Sequence, residues 1–175
     1  LQLMSAQEES EVRKMKVRAN ILIDPHGRVR SGRNSSPLSS PADRARFHQL
    51  RHWADCIVVG GATFRSEPYQ NSSRNGTEGA PIITFSRSSE EITDWRKAFD
   101  EISSHHGDQI LVEAGPNLLH QLINAGVIDE LYLTRTQRES EDLESPRFDL
   151  AWIDGWPLVS REISSEDLFE VYSKP

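Results

Sequence analysis

The chain has 175 residues, 36% hydrophobic and 27% charged, an ordinary balance for a globule large enough to bury one real core. A net charge of −7 and a pI near 5.4, with no Lys/Arg block, exclude nucleic-acid binding through a basic face, and no run of about 18 apolar residues offers a transmembrane helix. Cys56 stands alone, so no internal disulfide is expected; with no secretory leader read near the start, the expected setting is the reducing cytoplasm.

Residues 1–15 carry mixed charge and little pattern and read as a flexible tail, with residues 16–175 as one domain. Val17 to Ile23 is a largely buried first strand, ended by the turn Asp24-Pro25-His26-Gly27. Residues 30–39, rich in Ser, Gly and Asn, are a loop. Ser40-Pro41-Ala42-Asp43 has the form of a helix start: Ser40 caps, Pro41 fits the first turn and Asp43 suits the positive end. Phe47, Leu50 and Ala54 give that helix a buried stripe, and it feeds a second strand, Cys56 to Val59. Strand, helix and strand make a βαβ unit, so the two strands are expected to be parallel. A polar loop over 70–80 leads to a third strand, Pro81 to Phe85, and Ile92, Trp95, Phe99 and Ile102 then mark an amphipathic helix. Ile110 to Val112 is a fourth strand, followed by a helix from Asn117 to Ala125 that Gly126 terminates. Glu130 to Thr134 alternates as a strand with one wet face. Beyond the acidic loop Gln137–Pro146, short strands are expected at Phe148–Ile153, Leu158–Ile163 and Leu168–Tyr172, with Asp154-Gly155 turning between the first two. The fold class is therefore α/β, a mixed and mostly parallel sheet closed by antiparallel C-terminal strands.

The second strand breaks on Gly60-Gly61 and is followed by Thr63, Arg65 and Glu67; the third ends in Ser86-Arg87; the fourth ends in Glu113-Ala114-Gly115-Pro116-Asn117-Leu118. In a parallel core these ends share one rim, where the ligands of open α/β sheets collect. Glycines there let backbone N–H groups approach a phosphate. Gly115 and the helix start after it can hold a pyrophosphate, and Ser86 with Arg87 can hold a separate phosphate. Singly each is an ordinary turn; together they point to a phosphorylated dinucleotide. Glu113, at the mouth of a buried strand, either contacts substrate or caps nearby N–H groups, and Asp24 has the same two readings beside its turn. Arg44, Arg46, Arg51, Arg65 and Arg74 cluster near the first two strand ends, one or two of them for an anionic substrate and the rest solvated. His48 and His52 share a helix face, but without a zinc-protease glutamate or a third ligand they read as surface histidines, and no metal is expected. Cys56, inside an apolar strand, reads as core.

With these residues in view, the chain resembles the RibD C-terminal domain, the reductase part of bifunctional riboflavin-biosynthesis proteins, which has a dihydrofolate-reductase-like three-layer fold. The resemblance runs from about Val17 to Thr134. It rests on Ser39-Ser40-Pro41, Leu50-Arg51, Ala54-Asp55 and Ile57-Val58-Val59-Gly60-Gly61-Ala62-Thr63 with Glu67-Pro68, then on Pro81 to Ser86, Val112 to Leu118, and Ala125 to Leu131. The resemblance implies NADPH as cofactor. Asn20 and Pro37 would lie against it, Thr63 and Glu67 (where the family has Asp) would bind it beside Gly60-Gly61, Ser86 would sit at the adenosine phosphate with Arg87 as helper, and Gly115, Pro116, Asn117 and Leu118 would cradle the pyrophosphate. Ser35, Arg51 and Glu113 would contact the phosphoribosyl part of the substrate, with Arg74 as a second phosphate-binding arginine. The implied reaction passes hydride to the sugar C1′ of an opened ribosylamine on a phosphorylated pyrimidine. Glu113 and then Asp24 are the candidate catalytic acids, solvent being the other proton source.

Several features depart from the family. The first strand ends Leu22-Ile23-Asp24-Pro25 where Ser-Leu-Asp-Gly is usual, the chain runs short between Phe85 and Ile110, and the glycine-rich segment after the fifth strand is replaced by Gln137 to Glu144. That replacement is expected to remove part of a phosphate-side wall and to add negative charge. The deaminase half of the bifunctional family lies outside these residues, so no zinc is expected. The apolar C-terminal strands and the family's habit imply a homodimer. The alternatives carried forward are a non-catalytic relative that binds a dinucleotide or assembles with a partner, and a reductase of the same fold acting on another small heterocycle.

Overall fold

Alternation along the strands decides the architecture. The computed structural model describes residues 14–66, 79–85 and 92–175. Within them β1 (Lys16–Ile23), β2 (Cys56–Gly60), β3 (Ile82–Phe85), β4 (Gln109–Glu113), β5 (Glu130–Thr136), β6 (Leu158–Ser164) and β7 (Asp167–Ser173) form one seven-stranded sheet. Its order is β3-β2-β4-β1-β5-β7-β6. The pairings from β3 to β5 are all parallel, and β7 and β6 close the sheet antiparallel.

On one face Val17, Ala19, Ile21, Cys56, Val58, Ile110, Val112, Leu131 and Leu133 meet Phe99 and Ile102 of α3 (Trp95–His106) and Leu119, Leu122 and Ile123 of α4 (Pro116–Asn124). On the other, Ile57, Val59 and Leu111 meet Leu50 of α1 (Pro41–Trp53), with Ala54 just beyond its end. Three layers follow from this period of two. The same parity sends Glu113 and Asn20 to the α1 side: Glu113 is two residues past Leu111, and Asn20 lies between Ala19 and Ile21 and pairs with Tyr132 in β5. Burial pushes the Cys56 thiol up to about 12, with the nearby Asp55 carboxylate adding to the effect, so it sits in the core as an inert thiol.

The helix ends follow their local chemistry. Ser40 caps α1, its hydroxyl accepting from the Asp43 N–H at 3.0 Å, with Pro41 in the first turn. The Ser40 hydroxyl also donates to Asp167, which ties the α1 start to the β6–β7 hairpin. Two expectations fail on local signals. Residues Phe148–Ile153 are not a strand: the Asp149 carboxylate accepts from the Ala151 N–H at 2.9 Å and starts a 3-10 turn, Leu150–Ile153, with Phe148 and Ile153 both buried in the core. After Gly60, the chain enters a short helix, α2 (Gly61–Ser66), instead of a plain turn.

Candidate active site

The rim at the carboxyl ends of β1, β2 and β4 holds a cleft of about 380 Å³. That is at the lower end of the range for small-molecule sites, about 300–1,000 Å³. Asn20, Ser35, Arg51, Thr63, Glu113, Gly115 and Pro116 all line it, although they come from separate stretches of the chain. Phe85, the last residue of β3, pairs with Gly60, so the third strand end lies beside the second as the parallel reading requires.

Gly115 lines the cleft without a side chain, and Gly60 lies just behind it. The Gly115 N–H donates to Thr63 Oγ1 at 3.1 Å, which binds the β4 end to α2. Gly115 is the N-cap of α4 and supplies no side-chain cap, and Pro116 follows in the first turn. A Cβ built on Gly115 would meet Thr63 Oγ1 at 3.6 Å, and one built on Gly60 would meet Leu118 Cδ2 at 3.5 Å, both ordinary contacts. The fold itself does not require glycine at these two positions. With the Gly115 N–H given to Thr63 and no N–H on Pro116, the N–H groups of Asn117 and Leu118 are the ones this helix start could turn to an anionic group such as a pyrophosphate.

Across the cleft Arg51 and Glu113 form a bidentate pair. Nε donates to Oε1 at 2.7 Å and Nη2 to Oε2 at 2.6 Å, and the side chains are only 12% and 5% exposed. The Arg51 guanidinium also lies 4.2 Å from the Phe47 ring centroid. With both oxygens taken up as acceptors, Glu113 has the geometry of a carboxylate, not of a proton donor.

Asp24 does not line the cleft, and its assignment as a second catalytic acid is corrected. Its carboxylate is buried and accepts from the N–H groups of His26 at 2.8 Å, Arg28 at 2.8 Å and Ser140 at 3.1 Å. Burial alone would raise this carboxyl, but the three N–H donors and the Arg28 guanidinium outweigh it and hold the carboxyl below the ordinary aspartate range. It organises the first turn. That turn requires Gly27, whose φ is +80° and where a Cβ would sit 2.8 Å from the Phe148 carbonyl oxygen.

The acidic loop Gln137–Pro146 is tied to the chain after β1. It packs against the first turn and its neighbour, and Pro146 lines the cleft. The Ser140 hydroxyl donates to the Arg30 carbonyl at 2.5 Å, Ser145 Oγ accepts from the Val29 and Arg30 N–H groups at 3.2 Å each, and Pro146 reaches the cleft. Glu139, Glu141 and Glu144 point to solvent.

Of the remaining predicted residues, Gly61 is buried at the start of α2, Asn117 is exposed on the first turn of α4, and Pro37 is exposed in the loop before α1 without lining the cleft. Glu67, Arg74, Ser86 and Arg87 lie outside the described residues. The structure adds residues that were missed or left unassigned: Arg30, Arg33, Arg44, Phe47 and His48 line the cleft. Arg44, Phe47, His48 and Arg51 stand at i, i+3, i+4 and i+7 on α1, on the face flanking the buried Leu50, and that stripe was the available signal. Among the described residues no His/Cys/Asp/Glu cluster could hold a metal. A second cavity of about 530 Å³ behind α1 includes none of the predicted site residues, and Arg46 in its wall already donates to the Leu133 and Glu170 carbonyls.

Strand order, layers and the cleft at this rim define the chain as a dihydrofolate-reductase-like α/β protein. Within that class, residues 76–136 match the RibD C-terminal domain family. No curated protein matches the chain. Among solved structures, a pyrimidine reductase-like protein from Corynebacterium diphtheriae is 20% identical with a TM-score of 0.70, covering 91% of this chain and 91% of its own. A diaminohydroxyphosphoribosylaminopyrimidine deaminase/5-amino-6-(5-phosphoribosylamino)uracil reductase from Thermotoga maritima is 14% identical with a TM-score of 0.73. The match covers 91% of this chain and 56% of that one, so the chain spans little more than half of that protein. Dihydrofolate reductase from Enterococcus faecalis, complexed with NADP(H) and RAB-propyl, is 18% identical with a TM-score of 0.59, covering 90% of this chain and 95% of its own.

Proposed function

We propose that the chain is an NADPH-dependent reductase of a phosphorylated ribosylaminopyrimidine, as in flavin synthesis. The observation that carries this reading is the convergence of Asn20, Ser35, Arg51, Thr63, Glu113 and Gly115 on one cleft at the carboxyl ends of parallel strands. NADPH, when bound, supplies the hydride delivered to the sugar C1′. Gly60, Thr63 and the Gly115–Leu118 turn would hold its pyrophosphate, and Asn20 would lie against it. Arg51 and Glu113 would hold the sugar part of the substrate, the pair opening so that each meets substrate polar groups. With Glu113 held as a double acceptor by Arg51, solvent would supply the proton. The paired state of Arg51 and Glu113 gives a second reading its support: a dinucleotide-binding relative without turnover. The homodimer would form through the outer edge of β6, where Leu158, Val159 and Ile163 are exposed.

One assay separates the readings. NADPH is titrated by its fluorescence, then the phosphorylated pyrimidine is added and NADPH absorbance is followed. Binding followed by oxidation supports the reductase, binding without oxidation supports the non-catalytic relative, and oxidation only with other heterocycles supports a different substrate.

A further inference from the structure

Two carboxylates line the cleft, and only one of them is paired. Glu113 is taken up by Arg51. Asp43, in the first turn of α1, is 6% exposed and makes no ion pair with any described cation. Arg44 beside it gives Nη1 to the Ser39 carbonyl at 2.8 Å. Arg46, whose charge Asp43 favours, gives its two Nη groups to the Leu133 and Glu170 carbonyls. The Asp43 carboxylate is held in place without being saturated: Oδ2 accepts from the Ser39 hydroxyl at 2.6 Å, and Oδ1 accepts from no described residue. A carboxylate this buried is costly unless donors meet it. Phe47 follows one turn later and also lines the cleft, a flat apolar wall next to the carboxylate. On the same face of the sheet Thr134 pairs with the cleft-lining Leu22. Its hydroxyl is fully buried and has no hydrogen-bond partner among the described residues, an exception that folds seldom leave.

We propose that Asp43 reads the amidine edge of a planar nitrogen heterocycle, an exocyclic amino group beside a ring N–H, with the ring laid against Phe47. A carboxylate has about four acceptor sites, so it can take two parallel N–H bonds from such an edge while Oδ2 keeps the Ser39 hydroxyl. A ring with a carbonyl in place of the amino group turns an acceptor toward an acceptor and is rejected. Applied to the substrate of the proposed reductase, this chemistry selects the pyrimidine: one with an amino group at C2, a 2-aminopyrimidin-4-one and not a uracil. Asp43 and Arg51 are eight residues apart on α1, about 12 Å along its axis, so ring and sugar would lie along one wall. That the ring belongs to a reducible substrate rests on the reductase reading; recognition of the amidine edge does not.

The test uses a matched pair, 2,6-diaminopyrimidin-4-one and 6-aminouracil, which differ in the C2 group. Each is titrated into the full chain by ligand-observed NMR, with an NADPH titration alongside, for wild type and Asp43→Asn. Wild type is expected to bind the diamino compound roughly tenfold or more tightly than 6-aminouracil. The carboxamide of Asp43→Asn offers one acceptor and one donor, which match the N3–H and C2 carbonyl of a uracil. The preference should therefore be lost or reversed in that variant, an outcome a merely structural role for Asp43 would not produce. If Asp43→Asn does not fold, the wild-type pair decides alone. Wild type that binds both compounds equally, prefers 6-aminouracil or binds neither overturns the inference, as does an Asp43→Asn protein that keeps the wild-type preference. NADPH binding without the C2 preference removes the Asp43 assignment and leaves the reductase reading standing. The C2 preference in a chain that ignores NADPH keeps the assignment and removes the reductase reading.

Discussion

Replacing Glu113 by Gln is the sharpest probe of how the cleft is held together. The wild-type carboxylate receives two charge-assisted hydrogen bonds, at 2.7 and 2.6 Å, and is 5% exposed. Glutamine keeps one acceptor and turns an NH₂ toward the guanidinium, so donor faces donor and Arg51 is left charged and mostly buried. Breaking one side of such a pair costs about 3–5 kcal/mol. Two features place this case near the lower bound: the Arg51 guanidinium keeps its contact with the Phe47 ring, and the pair borders a cleft that water can enter. The expected loss is about 3 kcal/mol, which lowers Tm by roughly 6–12 °C for a domain of this size. Urea unfolding of Glu113→Gln beside wild type measures it. The double variant Arg51→Met with Glu113→Gln removes both partners and should recover to within about 1 kcal/mol of wild type. A Glu113→Gln protein within about 0.5 kcal/mol of wild type would mean the pair is not formed in solution.

Asp24→Asn tests the first turn. The Asp24 carboxyl titrates below its unfolded value, so its stabilisation is complete above about pH 4 and is lost as the pH falls through the lower folded value. Wild type and variant should therefore differ by roughly 2 kcal/mol near neutrality and converge in acid; a difference that persists unchanged in acid would contradict this role. Gly27→Ala should destabilise by roughly 2–3 kcal/mol, of which about 1–2 comes from the left-handed backbone and the rest from the Phe148 carbonyl. An unchanged urea midpoint would show that the turn relaxes freely.

Much of the framework was legible because it depends on neighbours in sequence. Ser40 before Pro41 marks a helix start by local capping, and the apolar runs at Cys56–Val59 and Ile110–Val112 mark buried parallel strands. The residues around 150 misled because Phe148 and Ile153 look like a strand until the Asp149 cap is weighed. α2 was missed because its six residues are too few to show a period. The cleft was legible only where glycines and Glu113 stood at strand ends. Arg44 was left open and His48 was read as a surface histidine because which face of α1 meets the cleft depends on the side of the sheet it packs against. Asp24 was left between contacting a ligand and capping its own turn; the His26 and Arg28 N–H donors are local, but the third, Ser140, lies 116 residues further along. The packing of Gln137–Pro146 was illegible for the same reason, since Ser145 meets Val29 and Arg30 only in the fold.

The most direct measurement is an NADPH titration of wild type and Gly115→Ala, followed by fluorescence, with urea unfolding of both proteins in parallel. Gly115 has a φ of −64°, and an added Cβ would meet Thr63 Oγ1 only at 3.6 Å, so the two should unfold at the same midpoint. Wild type should bind NADPH and Gly115→Ala should bind it roughly tenfold or more weakly, because the methyl group would stand where the proposed function puts the pyrophosphate at the helix start. Equal NADPH affinity in the two proteins, or no binding by wild type, would contradict a dinucleotide site in this cleft.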